Sequence, residues 1–348
     1  MTVKDVFELR KQGKIEEAYE AIRPMYAVHQ GKYTTLCMFW TASDILKKRI
    51  EELTEQQEQS SACTNSAESQ RKKTEGQKRV QEAESIFKAL LRVQPNIDDK
   101  DGKAQTAMMH HALRLSEVSA AFSMLDFVES LPVEALTAAD WQGGMSQDGK
   151  HQLPSTAQRL LTRAFHEIQV QMYGDFMTRK APSPHDEVVA SSLKVMPLLQ
   201  EAMRRNPRDK HNQRYMAVVY TIMGEREKAI AIYRQLLARH RDSYLYAELA
   251  GLTDEPGPKA ALLCRAIQNQ RQEKFCTAYR LDLARLLLGR DNARAAYELQ
   301  KCVATRQALG YHITRDMEQM LSQLNGVQPA TDTQQRDFYR RMTEKYPI

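Results

Sequence analysis

YMAVVYTIMGEREKAIAIYRQLLARHRD, Tyr215 to Asp242, sets Ala217, Tyr220, Gly224, Ala229, Tyr233 and Leu236 at the offsets of two short helices folded into a hairpin. Small side chains at Ala217 and Ala229 let the helices approach closely. Gly224 supplies the tight turn between them, because a residue without Cβ takes a left-handed backbone at no steric cost. Tyr220 and Tyr233 are then placed to fill the seam. A pattern of this kind defines an architecture and carries no reaction chemistry, so it points towards binding.

These six positions resemble a tetratricopeptide repeat. The resemblance implies an all-α, right-handed solenoid of such hairpins, divergent in sequence, which a longer helical hairpin, read below from the spacing of its apolar residues, interrupts near the middle. Partial matches recur elsewhere. Gly13 and Ala18 stand where Gly224 and Ala229 stand, with Val6 and Leu9 ahead and Ile22 behind. Ala42, Ile45, Ala83, Phe87, Leu90 and Pro95 make a second unit, Ala247, Ala250, Ala260, Cys264 and Ile267 a compressed one, and Leu281, Ala284, Ala293 and Tyr297 a further one. The expected divisions are N-terminal repeat-like helices over 1–97, a long hairpin over 103–180, a C-terminal array over 185–325 and a capping helix over 331–348. The compact repeats suggest a bacterial accessory protein, one component of a multi-gene system.

A polar insertion at about 51–77, rich in Gln, Glu, Ser and Lys, interrupts the first division. Its low apolar content predicts partial disorder around Ser60 to Thr74, with extension of both flanking helices as polar arms the alternative. From Ala104 the period changes to alternating fours and threes: Ala104, Met108, His111, Leu115, Val118, Phe122 and Leu125 form a heptad-like seam expected on one long helix. Leu161, Phe165, Ile168 and Met172 repeat that spacing after the loop 131–154. An antiparallel hairpin buries both stripes; a homodimer through these helices is the alternative.

The chain has 348 residues, 42% of them hydrophobic, enough for a folded core, and its net charge of +6 is spread thinly with no long basic run. Nucleic acid is permitted by that balance, not indicated. Five cysteines without a C-x-x-C pair fit free thiols in a reducing compartment. The first helix is charged rather than continuously apolar, and no stretch approaches the ~20 apolar residues of a membrane span. The expected address is the cytoplasm, and no membrane partner is expected.

Three motifs invite chemistry. Gly144 to His151, GMSQDGKH, approaches the phosphate-binding pattern G-x-x-x-x-G-K-[ST], but His151 replaces the hydroxyl residue and Pro154 follows closely. In NIDDKDG, Asn96 to Gly102, the calcium-loop register puts Ile97 and Met108 where carboxylates are required, so a polar turn and helix cap is the better account. His110 and His111 are adjacent on a helix and cannot share a metal; no metal, cofactor or catalytic set is expected, and the chain is read as no enzyme. Cys264 and Cys302 fall on inner helix faces, where a thiol acts as a small hydrophobe.

By the resemblance, the first helix of each hairpin lines a concave groove. Its positions fall on His211, Arg214, Val218, Thr221 and Ile222, then on Tyr244 and Glu248, then on Asp282 and Arg285. A groove carrying His211, Arg214, Tyr244, Glu248, Asp282 and Arg285 suits an extended peptide or a helix of a partner protein. Neither Arg214 nor Tyr244 belongs to the helix-packing set, so their loss is expected to spare stability. Arg204, Arg205, Arg208 and Lys210 form a basic patch near one turn, which supports the alternative of a nucleic-acid-contacting helical repeat.

Overall fold

The computed structural model describes residues 1–60, 66–146, 148–174 and 181–348, of which 58–60 and 66–73 are described by backbone alone. The chain is all-α, built from helical hairpins, and divides into two compact units, Met1–Asn206 and Pro207–Ile348.

The first unit opens with the hairpin α1 (Val3–Lys11) and α2 (Ile15–Val28), whose turn holds Gly13 at φ 76°. Next come α3 (Lys32–Ser60) and α4 (Ser66–Val93), the longest pair among the described residues. Where partial disorder is expected, Ser66 to Thr74 are helical, and residues 61–65 lie outside the described residues. Gln, Glu, Lys, Arg and Ala are strong helix formers, and pairs such as Arg79 with Glu75, 2.7 Å apart, support the helix without an apolar face.

The seam from Ala104 does not lie on one helix. α5 (Lys103–Val118) ends where the Ser119 hydroxyl accepts from the Ala121 and Phe122 amides, and α6 (Met124–Glu129) starts anew with Ser123 as its cap. The half-buried Glu167 carboxylate accepts from the Met124 amide at 2.6 Å and holds that start. A serine that offers its own turn to the backbone has outcompeted the heptad period. Leu125 stays buried, and Phe122 and Phe127 pack edge-on against Phe87. α7 (Thr156–Tyr173) packs on α5, and both stripes are largely buried within the chain, which leaves little apolar face there for the dimer alternative.

The loop 131–154 is tied down. Asp140, 1% exposed, accepts from the Thr106 hydroxyl of α5 and from the Thr137 amide and hydroxyl. The strands β1 (Gly144–Met145) and β2 (Gln152–Leu153) pair antiparallel. α8 (His185–Arg205), expected to open the C-terminal array, instead closes this unit, since Val188, Val195, Leu198 and Leu199 are buried and it packs on α6 and α7.

The second unit stacks three hairpins: α9 (Lys210–Ile222) with α10 (Arg226–Leu237), α11 (Ser243–Gly251) with α12 (Pro256–Asn269), and α13 (Thr277–Leu287) with α14 (Asn292–Ala308). Ala217 and Ala229 are fully buried at the close approach of α9 and α10, Tyr233 fills the seam at 2% exposure, and Gly224 turns at φ 74°. α15 (Arg315–Gln323) packs on α14. α16 (Asp332–Lys345) returns to lie on α12 rather than stacking beyond α15, with Gln335, Phe338 and Tyr339 buried.

Candidate functional site

Charged side chains on the first helices of the second unit meet across neighbouring hairpins. The Lys210 ammonium of α9 lies 3.1 Å from the Asp242 carboxylate that precedes α11. Four residues on, Arg214 reaches Glu248 of α11 through Nη2 at 2.6 Å and Nε at 3.0 Å, and its guanidinium sits 4.8 Å above the Tyr244 ring. Burial alone would lower the Arg214 pKa, but the hydrogen-bonded Glu248 overrides it and leaves the group above the ordinary arginine value. Arg285 of α13 then bonds Asp282 at 2.9 Å and Asp316 of α15 at 2.5 Å.

Of the six expected groove residues, Arg214, Tyr244 and Glu248 are thus brought together across α9 and α11, Asp282 and Arg285 pair within α13 with Arg285 reaching on to Asp316 of α15, and His211 stands exposed at the start of the row. Val218 and Ile222, expected to line the groove, are buried at 8% and 3% and belong to the core. Sequence reasoning misses Asp242 and Asp316. Their signal lies in the spacing: opposite charges recur one repeat apart on or beside first helices, 32 residues for Lys210 and Asp242, 34 for Arg214 and Glu248, 31 for Arg285 and Asp316.

Arg214 and Tyr244 therefore carry stability as well as surface, contrary to the expectation from the packing set alone. Arg214 and Glu248 keep only 17% and 21% side-chain exposure, between a surface pair worth little and a buried pair whose breakage is severe. Arg214→Ala is expected to destabilise the second unit by about 2 kcal/mol, because Glu248 loses its partner in a half-dry site. A urea titration of the full chain checks it, and Arg214→Ala/Glu248→Ala should recover part of the loss.

Between α11 and α13 the same face opens into a hollow of about 370 Å3, floored by Ala247, Ala250 and Gly251 and walled by Lys259, Asp282 and Arg285. Small residues make the depth. Arg290 adds a further cation at its edge while donating to the Leu286 carbonyl.

The basic patch is divided and partly cancelled. Arg204 and Arg205 both bond Glu201 at 2.6 Å, and their hydrogen bonds hold that carboxyl down at about 2. Lys210 is paired as described, and Arg208 is exposed. The phosphate-loop resemblance ends in a β-hairpin tip: the Ser146 hydroxyl accepts from the His151 amide, and Asp148 accepts from the Lys150 amide, so a carboxylate sits where an anion would be cradled. Asp99 caps α5 by accepting from the Ala104 and Gln105 amides.

The cysteines among the described residues are poor nucleophiles. Cys37, Cys264, Cys276 and Cys302 are free and buried, burial pushes every one of these thiols up, Cys276 to about 11, and Cys63 lies outside the described residues. Among the described residues no cluster of three or more His, Cys, Asp or Glu is arranged to hold a metal, and no helix is long and apolar enough to cross a membrane.

Fold and surface define an all-α helical-repeat protein. A family model described as a domain of unknown function, DUF7017, matches residues 212–345, nearly the whole second unit. No curated protein matches the chain significantly. Among solved structures, a tetratricopeptide repeat protein from Parabacteroides merdae ATCC 43184 is similar at 13% identity and a TM-score of 0.38, over 92% of this chain and 96% of that one.

Proposed function

We propose that the chain is a non-catalytic adaptor, bacterial and cytoplasmic, whose second unit offers the first-helix face of α9, α11 and α13 to a protein or peptide partner. One observation carries this. Ion pairs join α9 to α11 and α13 to α15, so the face is ordered before a partner arrives and little conformational entropy is lost on binding. The hollow beside Asp282 and Arg285 gives that face a place for an anchoring side chain, and the exposed His211 and the half-exposed Lys259 supply polar contacts that these ion pairs do not consume. Pairing of Arg204 and Arg205 with Glu201 weakens the nucleic-acid alternative, since their charge is answered within the chain.

The test is capture from native cells by the tagged full chain, with nuclease added to one half. His211→Ala/Lys259→Ala/Arg290→Ala should reduce partner capture about tenfold while melting stays near that of the wild type, because none of the three packs the core. Capture that vanishes with nuclease, or that the triple variant leaves untouched, would count against the proposal.

A further inference from the structure

Between α10 and α12, the second helices of successive hairpins, the second unit holds another hollow, of about 720 Å3. α10 turns Arg226, Ile230 and Arg234 to it at steps of four residues, and α12 turns Pro258, Leu262 and Arg265. Leu249 and Leu252 from the end of α11 complete an aliphatic floor, and the segment after α16, Tyr346 to Ile348, closes one side. That wall is held in place. Arg265 donates to the Tyr346 carbonyl at 2.9 Å and the Thr343 carbonyl at 2.6 Å. The Tyr346 ring lies so close to Gly257 that any side chain there would collide with its hydroxyl.

The charges around this hollow do not balance. Arg226 is answered by Asp254 at 2.5 Å and by the Leu252 carbonyl. Of the remaining charged side chains that line it, three are cations, Arg234, Arg265 and Lys345, and one is a carboxylate, Glu255. Arg265 has given two of its donors to carbonyls, which satisfy hydrogen bonds but leave its charge unneutralised, and burial lowers its pKa with no carboxylate to oppose the shift. Arg234 and Lys345 are exposed at the rim, Lys345 over the Tyr346 ring.

We propose that this hollow binds an acidic peptide segment of a partner protein, with carboxylates at Arg234, Lys345 and Arg265 and one apolar side chain on Ile230, Leu249 and Leu262. The volume falls within the roughly 300–1,000 Å3 of ligand-holding clefts, and an apolar floor with a few convergent polar groups is their usual chemistry. The floor is aliphatic, and the aromatic ring in the wall, Tyr346, already packs against Gly257 and beneath Lys345, so little stacking platform is left for nucleobases, which favours peptide over single-stranded nucleic acid. The site stands mainly on second helices and shares no lining residue with the hollow beside Asp282 and Arg285.

Immobilised short random-sequence peptides, probed with the full chain, test this. The wild type should be captured by peptides rich in Asp and Glu beside Leu, Ile or Phe. Arg234→Glu/Lys345→Glu should lower that capture about tenfold and shift the preference towards Lys-rich peptides, because rim charges steer partner choice. His211→Ala/Lys259→Ala, at the start of α9 and in the wall of the hollow beside Asp282, should keep it, so loss of this site and loss of the adaptor face are read separately. Both reversed side chains are exposed, and melting is measured alongside; if it falls, Arg234→Gln/Lys345→Gln takes their place. Absence of acidic enrichment in the wild type, or equal capture by a well-folded reversed variant, overturns the proposal.

Discussion

Glu298→Ala is expected to destabilise the second unit by roughly 4 kcal/mol, the scale of breaking a buried ion pair by removing one partner. Glu298 on α14 is fully buried and accepts from Arg280 Nη1 of α13 at 2.7 Å, from Gln335 Nε2 of α16 at 2.5 Å and from the Tyr339 hydroxyl of α16. Burial pushes its carboxyl up, and the Arg280 guanidinium opposes that shift. Without the carboxylate, Arg280 keeps, among the described residues, only the half-exposed Glu273 as an ionic partner, while two donors of α16 lose their acceptor at once. Glu298→Gln separates charge from hydrogen bonding. Among the described residues Gln335 Oε1 has no partner, so a rotated Gln335 amide can accept from the NH2 group that the substitution introduces, and a smaller loss of about 2 kcal/mol is expected. Urea titration of the full chain measures both, and amide exchange of α13, α14 and α16 locates them. An alanine variant within about 1 kcal/mol of the wild type would show that the network contributes no net stability.

The same network bears on binding. α16 is anchored twice, by Glu298 to Gln335 and Tyr339 and by Arg265 to the Thr343 and Tyr346 carbonyls, and the residues that follow it wall the hollow between α10 and α12. Loss of Glu298 should therefore raise exchange of the Tyr346 amide, which donates to the Met342 carbonyl, before α9 and α10 are affected.

Local packing was legible in the sequence, and the long-range arrangement of charges less so. Ala217, Gly224, Ala229 and Tyr233 announced the α9–α10 hairpin because each has a steric task set by its near neighbours in the chain. The break at Ser119 was hidden, since the apolar period runs straight through it and only the competing hydroxyl and the distant Glu167 end the helix. α16 was foreseen as a helix but not its return to α12, where it is held by Glu298 and Arg265, buried or half-buried charges whose partners on and just after α16 lie 37 to 81 residues away. On the first-helix face, family registration found Arg214, Tyr244 and Arg285, yet it treated as free surface what the chain uses to join its own repeats. In this chain a charge one repeat from its opposite is a strut rather than a hook, and that spacing was the overlooked signal.

In the first unit the expected result is a loss of stability as pH falls from about 6.5 to about 4, traceable to His111. Its Nε2 lies 2.7 Å from the Ser43 hydroxyl of α3, and burial, then the nearby charges of Arg114 and His110, push its pKa from 6.5 down to about 4; Asp44 acts weakly the other way and Lys47 with the rest. In the unfolded chain the imidazole titrates near 6.5. The folded-state value is thus depressed, so below 6.5 the unfolded chain takes up a proton that the folded chain refuses. Stability falls through that window and levels off below about 4, by roughly 3 kcal/mol in total. Glu167, whose carboxyl burial raises, works in the opposite sense and gains stability on acidification. Comparison with His111→Gln, which keeps a group able to meet Ser43, removes that background. The difference in unfolding free energy between wild type and variant should shrink on the wild-type side as pH drops from 7 towards 4, following a single titration. A difference that stays flat across the window would mean that water reaches the imidazole and that the α3–α5 seam around it is looser than its 7% exposure implies.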